Sequence, residues 1–60
     1  MNEILRQEVK ELKFRKDINY KEVAVMLGIQ PNSFYNWLKN QYDFSVERQA
    51  ELKALIEKLK

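Results

Sequence analysis

The only glycine and the only proline of this 60-residue chain, Gly28 and Pro31, stand close together near its middle. So few backbone breakers leave little room for hairpins or linkers, and the dominance of Leu, Glu, Lys and Ala favours an all-α fold. A glycine directly after an apolar helical pattern is typical of a C′ residue with positive φ. A proline is well tolerated in the first turn of a helix. The pair therefore predicts that one helix ends at Gly28 and that another begins beside Pro31.

The segments on either side of this pair carry further helix signals. Asn19 is a good N-cap, and the Glu22 carboxylate can reach back to the N–H of the cap residue, as in a capping box. Apolar residues then recur at helical spacing, which predicts helices over Tyr20–Leu27 and about Pro31–Lys39. The second helix has an apolar side formed by Phe34, Trp37 and Leu38. Such a pair matches a helix-turn-helix, which usually places its second helix in the DNA major groove, although helical hairpins that bind nothing carry similar signals.

Two longer helices are predicted around this pair. The first runs from Asn2 or Glu3 to about Lys16, with Asn2 as a candidate cap and an apolar stripe formed by Leu5, Val9 and Leu12, with Ile4 beside it. The last follows the Ser45 cap and runs to about Leu59. Its wide stripe consists of Val46, Leu52, Leu55, Ile56 and Leu59, helped by Ala50. Core packing explains this stripe, and part of it could also face a second copy of the chain. We expect residues 1–60 to form one small domain, an all-α bundle of four or five helices.

Phe14 falls on the side of the first helix opposite Leu5, Val9 and Leu12. We expect its ring to turn inward where the helix ends. The alternative is an exposed apolar contact for a partner.

Charge is unevenly distributed along the chain, although the net charge is only +2. Residues 10–21 hold five cations against Glu11 and Asp17, a local charge of +3. These cations are Lys10, Lys13, Arg15, Lys16 and Lys21. A basic cluster beside the start of the predicted second helix is what phosphate contacts need, although most lysine-rich stretches are simply solvated helix faces.

The absence of cysteine and histidine limits the chemistry that this chain can perform. It excludes disulfides and thiol chemistry and removes the usual zinc ligands, so we expect no metal and no cofactor. None of the acidic residues pairs convincingly with a nucleophile, so we expect neither an enzyme nor a small-molecule substrate. The N-terminal segment lacks the long apolar run of a signal peptide or a membrane span.

The outward side of the third helix is rich in amides and hydroxyls and has no carboxylate. Asparagine and glutamine can pair bidentately with adenine, and lysine can donate to guanine or to a phosphate. We therefore predict base contacts from six residues: Gln30, Asn32, Ser33, Tyr35, Asn36 and Lys39. The alternative is the polar side of an ordinary amphipathic helix, which more often carries glutamate.

Three segments together resemble the phage repressor and Cro (XRE-type) family of helix-turn-helix domains. They are LKFRKDINYKEVA at 12–24, LGI at 27–29, and the apolar spacing of Phe34 and Trp37. The resemblance implies a lambda-repressor-like fold in which Gln30, Pro31, Asn32, Tyr35, Asn36 and Lys39 contact bases or adjacent phosphates. It also implies that Tyr20 and Lys21 hold the DNA backbone, and the basic cluster adds Lys13 and Lys16 to that set.

The leading hypothesis is a sequence-specific regulator of transcription that binds double-stranded DNA, of the kind found as repressors in phages and mobile elements. One such helix reads only about four or five base pairs, so we expect a homodimer at least on DNA, with helix 4 and the loop before it as the contact. The expected location is the cytoplasm of a bacterial or phage-infected cell. The alternative is a protein-binding antagonist, an antirepressor, whose partner groove would be formed by Phe14, the Phe34–Trp37 helix, Tyr42 and Phe44. A fragment or a designed mini-domain would carry the same signals.

Overall fold

The computed structural model describes residues 1–60 and contains four α-helices and no strand. The helices are α1 (Asn2–Lys16), α2 (Tyr20–Leu27), α3 (Pro31–Leu38) and α4 (Val46–Leu59). α1 packs against α4, and α2 packs against both α3 and α4. The predicted all-α fold is confirmed, with four helices rather than five. None of the four has the length and apolar character that a membrane crossing requires.

The helices enclose one hydrophobic core, to which each of them contributes. Its largest member is Trp37, whose indole stacks on the Phe44 ring at 4.3 Å between centroids and lies 5.5 Å from the Phe34 ring. Aromatic side chains bury more apolar surface than any other residue type, so this cluster contributes a large share of the packing in so short a chain. Two of its three members belong to α3, which fixes the side of α3 that faces outward.

The ends of α2 follow the local signals in the sequence. The Glu22 N–H donates to Asn19 Oδ1 at 2.9 Å, and the Glu22 carboxylate accepts from the Asn19 side-chain amide at 3.1 Å rather than from the backbone N–H of the cap. At the other end Gly28 has φ 85°, its N–H donates to the Val25 carbonyl, and the Ile29 N–H donates to the Ala24 carbonyl. These two bonds define a Schellman motif, which turns the chain directly into α3.

Three expectations for α1 are wrong. Phe14 is 87% exposed rather than turned inward, because no helix packs on that side of α1. Ile4 is exposed for the same reason. Asn2 does not cap the helix, since its side chain bonds to Trp37 and Phe44 instead.

The apolar stripe of α4 is narrower than predicted. Only Leu52 and Ile56 are fully buried, while Val46 is 81% exposed and Ala50 is also exposed. Leu55 and Leu59 are half-buried at the edge of the core. Only α1 and α2 pack closely against α4, and together they cover one strip of its surface.

Candidate nucleic-acid interface

Four of the six residues predicted to contact bases share one outward side of α3. Asn32, Tyr35, Asn36 and Lys39 follow the spacing i, i+3, i+4 and i+7, which places them in one row on a helix. Asn32, Asn36 and Lys39 are exposed, and Tyr35 is half-buried against the core. α3 has no acidic residue. We call this row the outer face of α3.

The other two predicted base contacts lie beside the outer face. Gln30 is exposed and forms the N-cap of α3 without a side-chain capping bond, which leaves its amide free. Ser33 is half-buried, and its backbone carbonyl accepts a hydrogen bond of 2.9 Å from the Tyr42 hydroxyl. Ser33 therefore lies toward the loop that follows α3, at the edge of the candidate interface.

The residues predicted to hold the DNA backbone separate into two groups. Tyr20 and Lys21 lie in the first turn of α2, and the Lys13 ammonium lies 4.9 Å from the centroid of the Tyr20 ring. Tyr20 also shares a groove with Tyr35 and Lys39, so it adjoins the outer face of α3. Lys16 lines a different groove of α1, which also contains Glu8, Glu11, Arg15 and Lys60.

Cations without an ion-pair partner concentrate in the middle of the chain. Of the eleven lysines and arginines, four pair with carboxylates: Arg6, Arg15, Arg48 and Lys60. Five of the remaining seven lie between the second half of α1 and the end of α3: Lys10, Lys13, Lys16, Lys21 and Lys39. Three of them border the acid-free face of α3, since Lys10 and Lys39 share a groove with Tyr20 and Tyr35 and Lys13 lies over the Tyr20 ring. These unpaired cations give that face an attraction for anions.

The acidic residues lie mainly on α1 and α4. Six of the nine are found there: Glu3, Glu8, Glu11, Glu47, Glu51 and Glu57. Lys60 joins the two helices, since its ammonium lies 3.4 Å from both the Glu8 and the Glu57 carboxylates. The hydrogen bond to Glu57, together with the negative charge of that residue and the bond to Glu8, raises the pKa of Lys60 above its ordinary value.

Arg6 is a buried cation that the sequence reading missed. Its Nε donates to the Trp37 carbonyl at 2.6 Å, and its terminal nitrogen donates to the Tyr42 carbonyl at 2.8 Å and to the Asp43 carboxylate at 2.9 Å. Its guanidinium also lies 5.0 Å from the centroid of the Trp37 ring. Because the Trp37 carbonyl is at the C-terminal end of α3, where positive charge is favourable, Arg6 anchors that end of the helix.

Asn2 makes a second link between α1 and the end of α3. Its Oδ1 accepts from the Trp37 indole N–H at 2.8 Å and from the Phe44 N–H at 2.9 Å. A signal for both residues exists in the sequence, since Asn2 and Arg6 occupy positions of the same helical stripe as Leu5 and Val9. A polar residue at a stripe position indicates a buried hydrogen-bonding role.

Three of the aromatic residues expected to form the partner groove of a protein-binding antagonist are buried. Phe34, Trp37 and Phe44 are buried in the core, and only Phe14 and Tyr42 of the proposed set are exposed. No three acidic side chains lie close enough together to hold a metal ion.

Comparisons of the chain with protein-family models, with curated proteins and with solved structures found no match.

Proposed function

We propose that this protein is a DNA-binding regulator in which α2, the Gly28–Gln30 turn and α3 act as a helix-turn-helix. The observation that carries the proposal is the outer face of α3, which combines exposed amide and ammonium groups and the half-buried Tyr35 phenol with no carboxylate. A carboxylate there would be repelled by phosphates. Phe34, Trp37 and Leu38, buried on the other side, hold this face outward.

The side chains of this face match the hydrogen-bonding groups of the major groove. The Asn32 and Asn36 amides can each donate to and accept from an adenine, and Lys39 can donate to guanine or to a phosphate. Tyr35 can contact a thymine methyl or a sugar. Base contacts of this kind give sequence specificity, whereas phosphate contacts set the position of the protein on the duplex.

The start of α2 supplies the second part of the proposed interface. Its free backbone N–H groups and the positive end of its dipole favour a phosphate. Lys21 in the same turn and Lys13 above the Tyr20 ring have no carboxylate partner within ion-pairing distance. This arrangement supports a DNA strand that passes α2 while α3 enters the groove.

As a regulator, the protein would occlude a promoter or compete for an operator, as repressors of phages and mobile elements do. A single α3 is too short for useful specificity, so the proposal includes a homodimer on DNA. The start of α4 offers the contact, because Val46 and Ala50 are exposed and line an apolar groove with Met1.

Fluorescence anisotropy with a random-sequence duplex at several salt concentrations tests DNA binding. We expect a Kd of about 10⁻⁴ to 10⁻⁶ M that weakens steeply with salt. The double variant Asn36→Ala with Lys39→Ala should bind more weakly, because it removes a base-edge group and a cation from the outer face of α3.

The matched control is Gln7→Ala with Lys58→Ala, which removes an exposed amide and an unpaired lysine from α1 and α4. It should bind as the wild type does. Absence of binding by the wild type even at low salt would refute the proposed function.

A further inference from the structure

One groove of the surface brings together residues from three helices. Lys10 of α1, Tyr20 of α2, and Tyr35, Leu38 and Lys39 at the end of α3 line it. It borders the outer face of α3, since Tyr35 and Lys39 belong to both. We call it the tyrosine–lysine groove.

The charge of this groove is unbalanced. Lys10 and Lys39 contribute two ammonium groups, and no carboxylate lines the groove or pairs with either lysine. Three other surface grooves differ, because their cations are accompanied by acids: Arg15, Lys16 and Lys60 by Glu8 and Glu11, Lys58 by Glu51, and Arg6 by Glu3 and Asp43. The groove at the start of α4 contains a single lysine, Lys53, without an acid. Two like charges in one groove repel each other, and an anion between them removes that repulsion.

Neutral donors reinforce the preference for an anion. The Tyr20 and Tyr35 hydroxyls have no hydrogen-bond partner within the protein, unlike the Tyr42 hydroxyl, so both remain free to donate to a ligand. The Lys13 ammonium, 4.9 Å from the centroid of the Tyr20 ring, places a third cation next to one of the residues that line the groove. The Leu38 side chain, almost completely buried, supplies an apolar wall.

We infer that the tyrosine–lysine groove holds a phosphate of the DNA backbone between Lys10 and Lys39. This inference depends on the proposed function and adds Lys10, on a helix outside the helix-turn-helix, to the binding residues. A phosphate held there is contacted from α1 and α3 together, so it would fix the register in which the outer face of α3 meets the bases.

The variant Lys10→Gln tests the inference in the same anisotropy experiment. Each phosphate contact contributes about −0.9 to the slope of log K against log salt concentration. Lys10→Gln should therefore make the slope shallower by about 0.9 and weaken binding at about 50 mM salt on the order of tenfold, equally for all sequences. Tyr35→Phe, which removes one hydroxyl, should weaken binding less and leave the slope unchanged.

Lys58→Gln is the matched control, because it removes the same charge from an exposed, unpaired lysine on α4. If the wild type binds duplex DNA and the slope of log K against log salt concentration is equal for Lys10→Gln and Lys58→Gln, the inference is overturned and the proposed function stands. Failure of the wild type to bind duplex DNA would instead overturn the proposed function. Saturable binding of inorganic phosphate that leaves the duplex affinity unchanged would assign the groove to free phosphate and overturn the DNA assignment. Tryptophan emission of each variant verifies that it is folded.

Discussion

Arg6 makes three side-chain hydrogen bonds, as many as Asn2 and more than any other side chain in this domain. Its side chain is 6% exposed, whereas the side chain of Asp43, with which it pairs, is 73% exposed. The pair therefore escapes much of the desolvation cost of a fully buried ion pair, because only one of its members leaves water. Its hydrogen bonds to the Trp37 and Tyr42 carbonyls tie α1 to backbone groups near the end of α3.

We expect Arg6→Ala to lower the free energy of unfolding by about 2–4 kcal/mol, because charge-assisted hydrogen bonds contribute about 1.5–3 kcal/mol each and are not additive. Urea unfolding followed by Trp37 emission measures this loss. The free energy of unfolding of a 60-residue domain is only a few kcal/mol in total, so Arg6→Ala alone could unfold it. Arg6→Lys, which keeps the charge, provides a milder second variant.

The control for Arg6 is Arg15→Ala, since Arg15 is exposed and lies 4.0 Å from Glu11. Removing such a surface pair should change stability by less than about 0.5 kcal/mol. Equal losses for the two alanine variants would show that the contacts of Arg6 contribute nothing.

The turn between α2 and α3 is the element on which the proposed interface depends. The ends of α1, α2 and α3 all use the left-handed conformation, at Asp17 with φ 57°, Gly28 with φ 85° and Asn40 with φ 65°. A further contact comes from α4, where the Arg48 guanidinium donates to the Leu27 carbonyl at 3.2 Å. The angle between α2 and α3 is therefore set by the backbone at Gly28 and supported from a third helix.

We expect Gly28→Ala to destabilise the domain by about 1–2 kcal/mol, the cost of placing an L-residue in this conformation. A Cβ at this position would meet no atom within 4 Å, so the cost is conformational rather than steric. Gly28→Asn should cost less, because asparagine adopts the left-handed region more readily. Urea unfolding compares the two, and an alanine variant as stable as the wild type would contradict this explanation.

The helices were more predictable from the sequence than the surfaces between them. Caps are local signals, so Asn19, Gly28 and Ser45 place helix ends correctly, with α3 ending one residue earlier than predicted. Burial depends instead on which helices pack nearby. Periodicity identified the outward side of α3, but it could not show that the sides of α1 and α4 carrying Phe14 and Val46 have no neighbour.

The least predictable feature of the candidate interface was that residues from three different helices line the same groove. Lys10 stands ten residues before Tyr20 and far from Lys39 in the chain, and only the packing of three helices brings them to one groove. The burial of Arg6 likewise depends on acceptors more than thirty residues away.

At the scale of the whole molecule, the proposed homodimer can be tested through Val46. A glutamate at this exposed position would place two charges of the same sign in an apolar contact between copies. We expect sedimentation on a selected operator duplex to show two wild-type copies per duplex and one copy of Val46→Glu. Ala54→Glu is the control, because it adds the same charge to an exposed position of α4 that lines a different groove.

A single wild-type copy per duplex at saturation would refute the dimer. It would leave the DNA-binding proposal standing, with specificity limited to one recognition helix.

The long links made by α1 also determine when the fold can form. Asn2 and Arg6 find their partners 31 to 42 residues later, and α1 packs against α4, the last of the four helices along the chain. A nascent chain that lacks α4 leaves the apolar stripe of α1 in water, so folding cannot proceed in stages from the N-terminus. The domain is thus expected to assemble in one cooperative step once α4 has been synthesised, and the slowest-exchanging amides of α1 and α4 should exchange hydrogen at a common rate.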